Sequence, residues 1–132
     1  MECNKIDSRR FFLQGMRVCF GFWLLYVGIA KWLFIGADNF VGYITTDFDK
    51  TWSPHLLNVV LAWLIIVAEP VIALLILSGK KARASWSLAA ALMFLLVIGQ
   101  TILMKPDVIA NWQYFVLTLA CAAMSDSDCS CS

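Results

Sequence analysis

The sequence predicts an all-α protein, a four-transmembrane-helix antiparallel bundle, and three observations carry that expectation. Of 132 residues, 61% are hydrophobic and only 14% charged, against about 45–50% apolar and about 25% charged in soluble domains. The apolar residues gather into four runs, at about residues 14–36, 56–78, 85–104 and 108–124. A helix needs roughly 20 such residues to cross the hydrocarbon core. Lysine and arginine are also unevenly placed. Lys5, Arg9, Arg10 and Arg17 lie at the start, and Lys80, Lys81 and Arg83 separate the second and third runs. The connection between the first two runs instead holds Asp38, Asp47 and Asp49 against Lys50. Positive residues favour the cytoplasmic side, so both termini are expected there and the spans alternate in direction.

Residues 1–13 read as a cytoplasmic N-terminal segment, residues 14–124 as the membrane domain and residues 125–132 as a cytoplasmic Ser/Asp/Cys tail. The N-terminal segment has no apolar core and no small-residue cleavage site, so the first span is expected to act as its own insertion signal. In that span Arg17, Gly21, Leu24, Gly28 and Lys31 follow four-three spacing, which lays all five along one stripe of a helix. Glycines let a neighbouring backbone approach closely, so the stripe is expected to face the bundle.

In the connection 37–55, Phe40, Tyr43, Ile44, Phe48 and Trp52 recur at three- and four-residue steps. That pattern fits a short interfacial helix with these residues on one face, or an irregular loop anchored by its aromatics. Trp32, Trp52 and Trp112 fall near the outer interface and Trp86 near the inner one, as an aromatic belt would. Between the last two runs, Lys105-Pro106-Asp107 breaks the helix and predicts a tight antiparallel hairpin.

The second span carries the acid. Glu69 falls near mid-membrane, where a carboxylate must be paired or protonated and is a functional candidate by default. Pro70 follows it and leaves the Ile66 carbonyl without its helical donor, which predicts a kink that opens space beside the acid. At about 1.5 Å rise per residue, Lys31 lies roughly 8 Å from the outer boundary and Arg17 a few Å from the inner one, whereas Glu69 lies roughly 15–20 Å from each boundary, so neither cation is at its level. Lys31 is therefore expected to reach the outer end of a polar network rather than to pair with Glu69 directly. Arg17, Gln100 and Tyr114 are expected in the same network, with Gln14, Tyr26 or a trapped water as bridges. Snorkelling of Lys31 and Arg17 to the two interfaces is the plain alternative, as is a purely helix-clamping role for Glu69.

His55, the sole histidine, either caps the second span or serves as an outer proton group. Cys129 and Cys131 form a C-x-C pair near the C-terminus, and Cys3, expected nearby on the same side of the membrane, offers a third thiolate. Two thiols are too few for a tetrahedral metal site, so no metal is expected. No nucleophile–base pair, zinc motif or phosphate-binding glycine loop is present, and one histidine cannot ligate haem between two helices. Catalysis by the chain alone is not expected. A net charge of +1 gives no argument for nucleic acid. The expected partners are membrane lipid and other membrane subunits.

The order Arg17-x3-Gly21-x6-Gly28-x2-Lys31, the segment Phe40-Val-Gly-Tyr-Ile44, the Trp52-Ser-Pro-His55 start and Glu69-Pro-Val-Ile-Ala-Leu-Leu-Ile-Leu-Ser-Gly79 with its following basic residues resemble the DoxX-like family of small four-helix membrane proteins. The resemblance covers about residues 10–124, including Ala110-Asn-Trp-Gln-Tyr114. It implies a bacterial inner-membrane protein associated with redox systems; relatives include a small subunit of a thiosulfate:quinone oxidoreductase. By it, Glu69, Lys31 and Arg17 occupy recurring polar positions, although the glycine often found after the family's glutamate is replaced by the larger Val71-Ile-Ala-Leu. Three functions stand as expectations. The first is an accessory subunit of a quinone-linked complex, with a polar pocket near Glu69 for a quinone or a proton. The second is a non-catalytic structural subunit or assembly factor. A small transporter is the third and least favoured.

Overall fold

The computed structural model describes residues 2–106 and 108–125, with side chains from Ser8 onward. Helix α1 runs over Glu2–Ala30 and continues as a π-helical turn, Lys31–Ile35; α2 covers Ala37–Phe48, α3 His55–Ser78, α4 Ala82–Ile102 and α5 Val108–Ser125. Four stretches are long and apolar enough to cross a membrane: Ser8–Ile35, His55–Ser78, Ala82–Ile102 and Val108–Ser125. The protein is a multi-pass membrane protein, all-helical among the described residues, and α2 is a fifth helix outside the spans. The first helix begins well before the apolar run, and carries Arg9 and Arg10 on its extra turns.

The spans pack in the order α1, α3, α4, α5, with α5 returning to α1. Small residues make this possible. Ala62, Ala73 and Ala89 are fully buried, so backbones approach closely where lipid offers no hydrophobic drive of its own. Larger residues, Phe20, Leu24, Ile76, Trp86 and Met93, fill the interior between them. Phe11, Leu33, Phe34, Leu56 and Ile109 stay exposed on the outside, as a lipid-facing surface requires. At the turn after α4, Lys105 donates its backbone N–H to the Gln100 carbonyl at 3.0 Å, and α5 folds back along α4 as the expected hairpin.

The α1 stripe meets α3 as its spacing predicts: Gly21, Leu24 and Gly28 are buried. A Cβ added at Gly28 would lie 3.0 Å from Pro70 Cδ, and one at Gly21 2.7 Å from the Leu77 side chain. These two contacts fix the register, residue 28 level with residue 70 and residue 21 with residue 77. In that register the first turns of α3 extend beyond the end of α1, and α2 packs against the projecting part.

Gly36 makes the reversal from the π-turn into α2. Its φ of 83° and ψ of 134° lie in a region closed to most side chains, and the Asn39 side-chain amide donates to the Ile35 carbonyl at 2.9 Å beside it. The helix expected over the aromatic segment is present, but its inner face differs. Val41 and Thr45 are buried, with Phe40, Ile44 and Phe48 half-buried, whereas Tyr43 and Trp52 point outward. The face is set by α3, against which α2 packs, rather than by a lipid interface alone. Trp86 also departs from the expected belt. It is 3% exposed, its ring 5.8 Å from that of Phe20, because it fills the interior where α4 passes α1.

Candidate functional site

The strongest polar feature of the membrane domain is a direct pair between Lys31 and Glu69. Lys31 Nζ donates to both carboxylate oxygens, at 2.6 and 2.8 Å. Glu69 is 2% exposed and the Lys31 side chain 16%. The expected separation of the two is overturned by the register: α1 and α3 do not start at one boundary, and because α3 projects past α1, Glu69 lies at the level of Lys31. The Lys31 ammonium also sits 4.6 Å from the centre of the Phe40 ring, a cation–π contact from α2 that closes the pair on a further side.

Local backbone chemistry positions both partners. Because Pro70 has no N–H, the Ile66 carbonyl loses its helical donor, and the indole Nε1 of Trp32 donates to it at 3.1 Å. The π-turn lets the adjacent residues Lys31 and Trp32 both reach α3, since its i→i+5 spacing turns the backbone by a smaller angle per residue. The orphaned carbonyl was visible in the sequence; the donor at its level was not. Trp32→Phe should lower the thermal stability of the purified protein by about 0.6–1.7 kcal/mol, the upper range for interhelical hydrogen bonds in membranes. An unchanged unfolding midpoint would show that this carbonyl needs no partner.

Both Glu69 oxygens are engaged by Lys31, and Pro70 is closed against Gly28. Beside the acid, the proline expected to open space is met closely by the Gly28 backbone.

The other expected members of the network lie elsewhere. Gln100 accepts from the Asn111 amide at 2.5 Å between α4 and α5. Tyr114 stacks on Trp23, with ring centres 4.6 Å apart. Arg17 rests against Gly79 at the opposite end of the bundle, and Gln14 and Tyr26 are exposed. The single network is thus divided, because helix packing places these side chains at different heights and on different faces. The thiols Cys129 and Cys131 lie outside the described residues, as does the side chain of Cys3.

A second polar cluster ties α2 to the start of α3. The Asn58 amide, 3% exposed, donates to Asp49 Oδ1 at 3.1 Å and accepts from the Ser53 hydroxyl at 2.5 Å. His55 Nδ1 lies 2.7 Å from Asp49 Oδ2, so His55 joins two elements rather than capping α3, whose first residue it is. Asn58 was not singled out by the sequence; its burial comes from α2 folding over it. Nearby, Lys105 donates to Asp47 Oδ2 at 2.8 Å and to the Tyr43 hydroxyl at 3.2 Å, tying α2 to the α4–α5 turn.

These carboxylates give α2 a pH response. The Asn58 amide, then His55, hold Asp49 below the usual carboxylate range; hydrogen bonding from Lys105 does the same for Asp47 and pushes Lys105 itself up. A depressed folded value stabilises above the unfolded carboxyl pKa, about 3.9, and the effect is lost as pH falls through the folded value. Amide protection in Thr45–Asp49 should therefore fall below about pH 4 while α3 and α4 stay protected. Equal protection of α2 at pH 3 and pH 7 would remove these contacts as its anchor.

The fold and the site define a class: a small multi-pass bundle of four membrane-spanning helices, α1 and α3 locked by a buried lysine–glutamate pair. A family model described as DoxX matches residues 12–106. The chain belongs to the DoxX family. The matched region includes the clamp, α2 and α4, and ends before α5. No curated protein and no solved structure matches the chain.

Proposed function

We propose that this protein is a non-catalytic accessory subunit or assembly factor that docks partner proteins in the membrane, with the Lys31–Glu69 pair setting the register of its own bundle. One observation carries the reading: a 2%-exposed carboxylate with both oxygens held by one lysine is built to join two helices. The α1 surface supports docking. Tyr26, in the middle of a span, is 69% exposed and makes no hydrogen bond among the described residues, and a hydroxyl facing hydrocarbon is better satisfied by a neighbouring subunit. The lysine and arginine asymmetry supports a cytoplasmic position for both termini, in a bacterial inner membrane. In a quinone-linked assembly the quinone chemistry belongs to the partner, since Glu69 and Asn58 have their polar atoms engaged within the chain.

The test uses Glu69→Gln in the native host, with gentle detergent extraction and native electrophoresis. The expected result is less protein in the high-mass assembly, while the assembly that remains keeps its specific activity. Full assembly with quinol-linked activity abolished would overturn the structural reading and restore a proton-handling role for Glu69. A protein that migrates only as a free monomer, before and after substitution, would overturn both.

A further inference from the structure

At the end of the bundle opposite α2, the helix ends surround a cleft of about 370 Å³. Its polar lining includes Arg10, Gln14 and Arg17 from α1, and the start of α4 at Ala82 and Ser85. Among the described residues, no carboxylate lines the cleft. Arg10 and Arg17 enter no ion pair among the described residues. The Arg17 Nε is buried and has no hydrogen-bond partner among the described residues, a costly state for a guanidinium donor. The guanidinium itself is held in place: it lies against Gly79, whose φ of 69° ends α3 in the left-handed region and whose missing side chain leaves the room.

The remaining groups sort by what they offer. The Ser85 hydroxyl donates to the Lys80 and Lys81 carbonyls, and that of Ser125 to the Cys121 carbonyl. Their protons are committed, so the donors left for a ligand are the two guanidinium groups, the Gln14 amide and the first backbone N–H groups of α4, which has no side-chain cap. A helix N-terminus and two arginines together favour a multiply coordinated anion. The deeper wall is apolar, made by Leu13, Ile76 and Trp86. Lys80 and Lys81 are exposed at the turn beside it.

We propose that this cleft binds the phosphate of an anionic phospholipid, with the head group between Arg10 and Arg17 and the glycerol and upper acyl chains along Leu13, Ile76 and Trp86. An apolar wall beside the donors, at the ends of membrane-spanning helices, selects a lipid phosphate over a free one. The sequence places Asp126 and Asp128 directly after Ser125, so the chain's own tail is the competing anion that the test must separate.

The experiment is native mass spectrometry of the full chain released from micelles with equal phosphatidylglycerol and phosphatidylcholine. Wild-type protein should retain phosphatidylglycerol preferentially. Arg17→Gln and Arg10→Gln should each reduce that preference about fivefold, the worth of one basic residue at a membrane surface, while Lys105→Gln at the far end leaves it unchanged. Arg10 is exposed, so its variant reports on binding even if Arg17→Gln impairs folding. An undiminished preference in both arginine variants would overturn the proposal. So would displacement of the lipid by millimolar inorganic phosphate, which assigns the cleft to a free anion. Retention that appears only after deletion of residues 126–132 would overturn it as well, by making the tail the occupant.

Discussion

Lys31→Met should destabilise the bundle by about 3–5 kcal/mol, the largest effect expected of any single side chain here. The substitution keeps the side-chain length but leaves Glu69 as a buried carboxylate with no partner, and breaking one half of a buried ion pair has that magnitude. The pair itself contributes less, because desolvation of both charges offsets most of their attraction. Lys31→Met combined with Glu69→Met should therefore recover most of the lost stability. Thermal unfolding in one detergent, followed by circular dichroism, gives both numbers. A double variant as unstable as the single would mean that the pair contributes in its own right, rather than mainly sparing Glu69 from isolation. A single variant as stable as wild type would remove the clamp from the account altogether.

The second large effect is at Gly28. An added methyl group would stand 3.0 Å from Pro70 Cδ and 3.1 Å from Pro70 N. Neither the ring nor the backbone can turn aside, so Gly28→Ala must push α1 and α3 apart, three residues from Lys31. Overpacking of this kind costs about 1–3 kcal/mol, and separation at this height also lengthens the Lys31–Glu69 contact. Gly21→Ala is the control. Its added carbon would stand closer, 2.7 Å from both Cγ and Cδ2 of Leu77, but this is a side chain that can change rotamer, not a ring and backbone. It should cost less than about 1 kcal/mol. If the two variants unfold alike, or Gly21→Ala is the worse, helix register does not depend on the Gly28–Pro70 contact.

Much of this was legible in the sequence. Apolar run length and the rarity of charge determined four spans, because a bilayer accepts little else. The four-three spacing of Gly21, Leu24, Gly28 and Lys31 determined which face of α1 would be buried, and the proline after Glu69 determined that a carbonyl would lack its donor. These are local properties: a helix has one period, and a proline removes its own N–H wherever it stands. The partnership of Lys31 with Glu69 was not local. It depends on how far one helix slides along the other, and that offset follows from Gly28 meeting Pro70 and from α2 covering the projecting turns of α3.

Other divergences share this cause. Trp86 was assigned to an interface because it lies near a helix end, and is buried because α1 and α5 pass beside it. Gln100 and Tyr114 were joined to Glu69 by rough depth, and face other neighbours. The sequence by itself determined the number of spans, the buried stripe and the groups that needed partners. The tertiary structure decided which partners they took, since the height of one helix against another is set only when their surfaces meet.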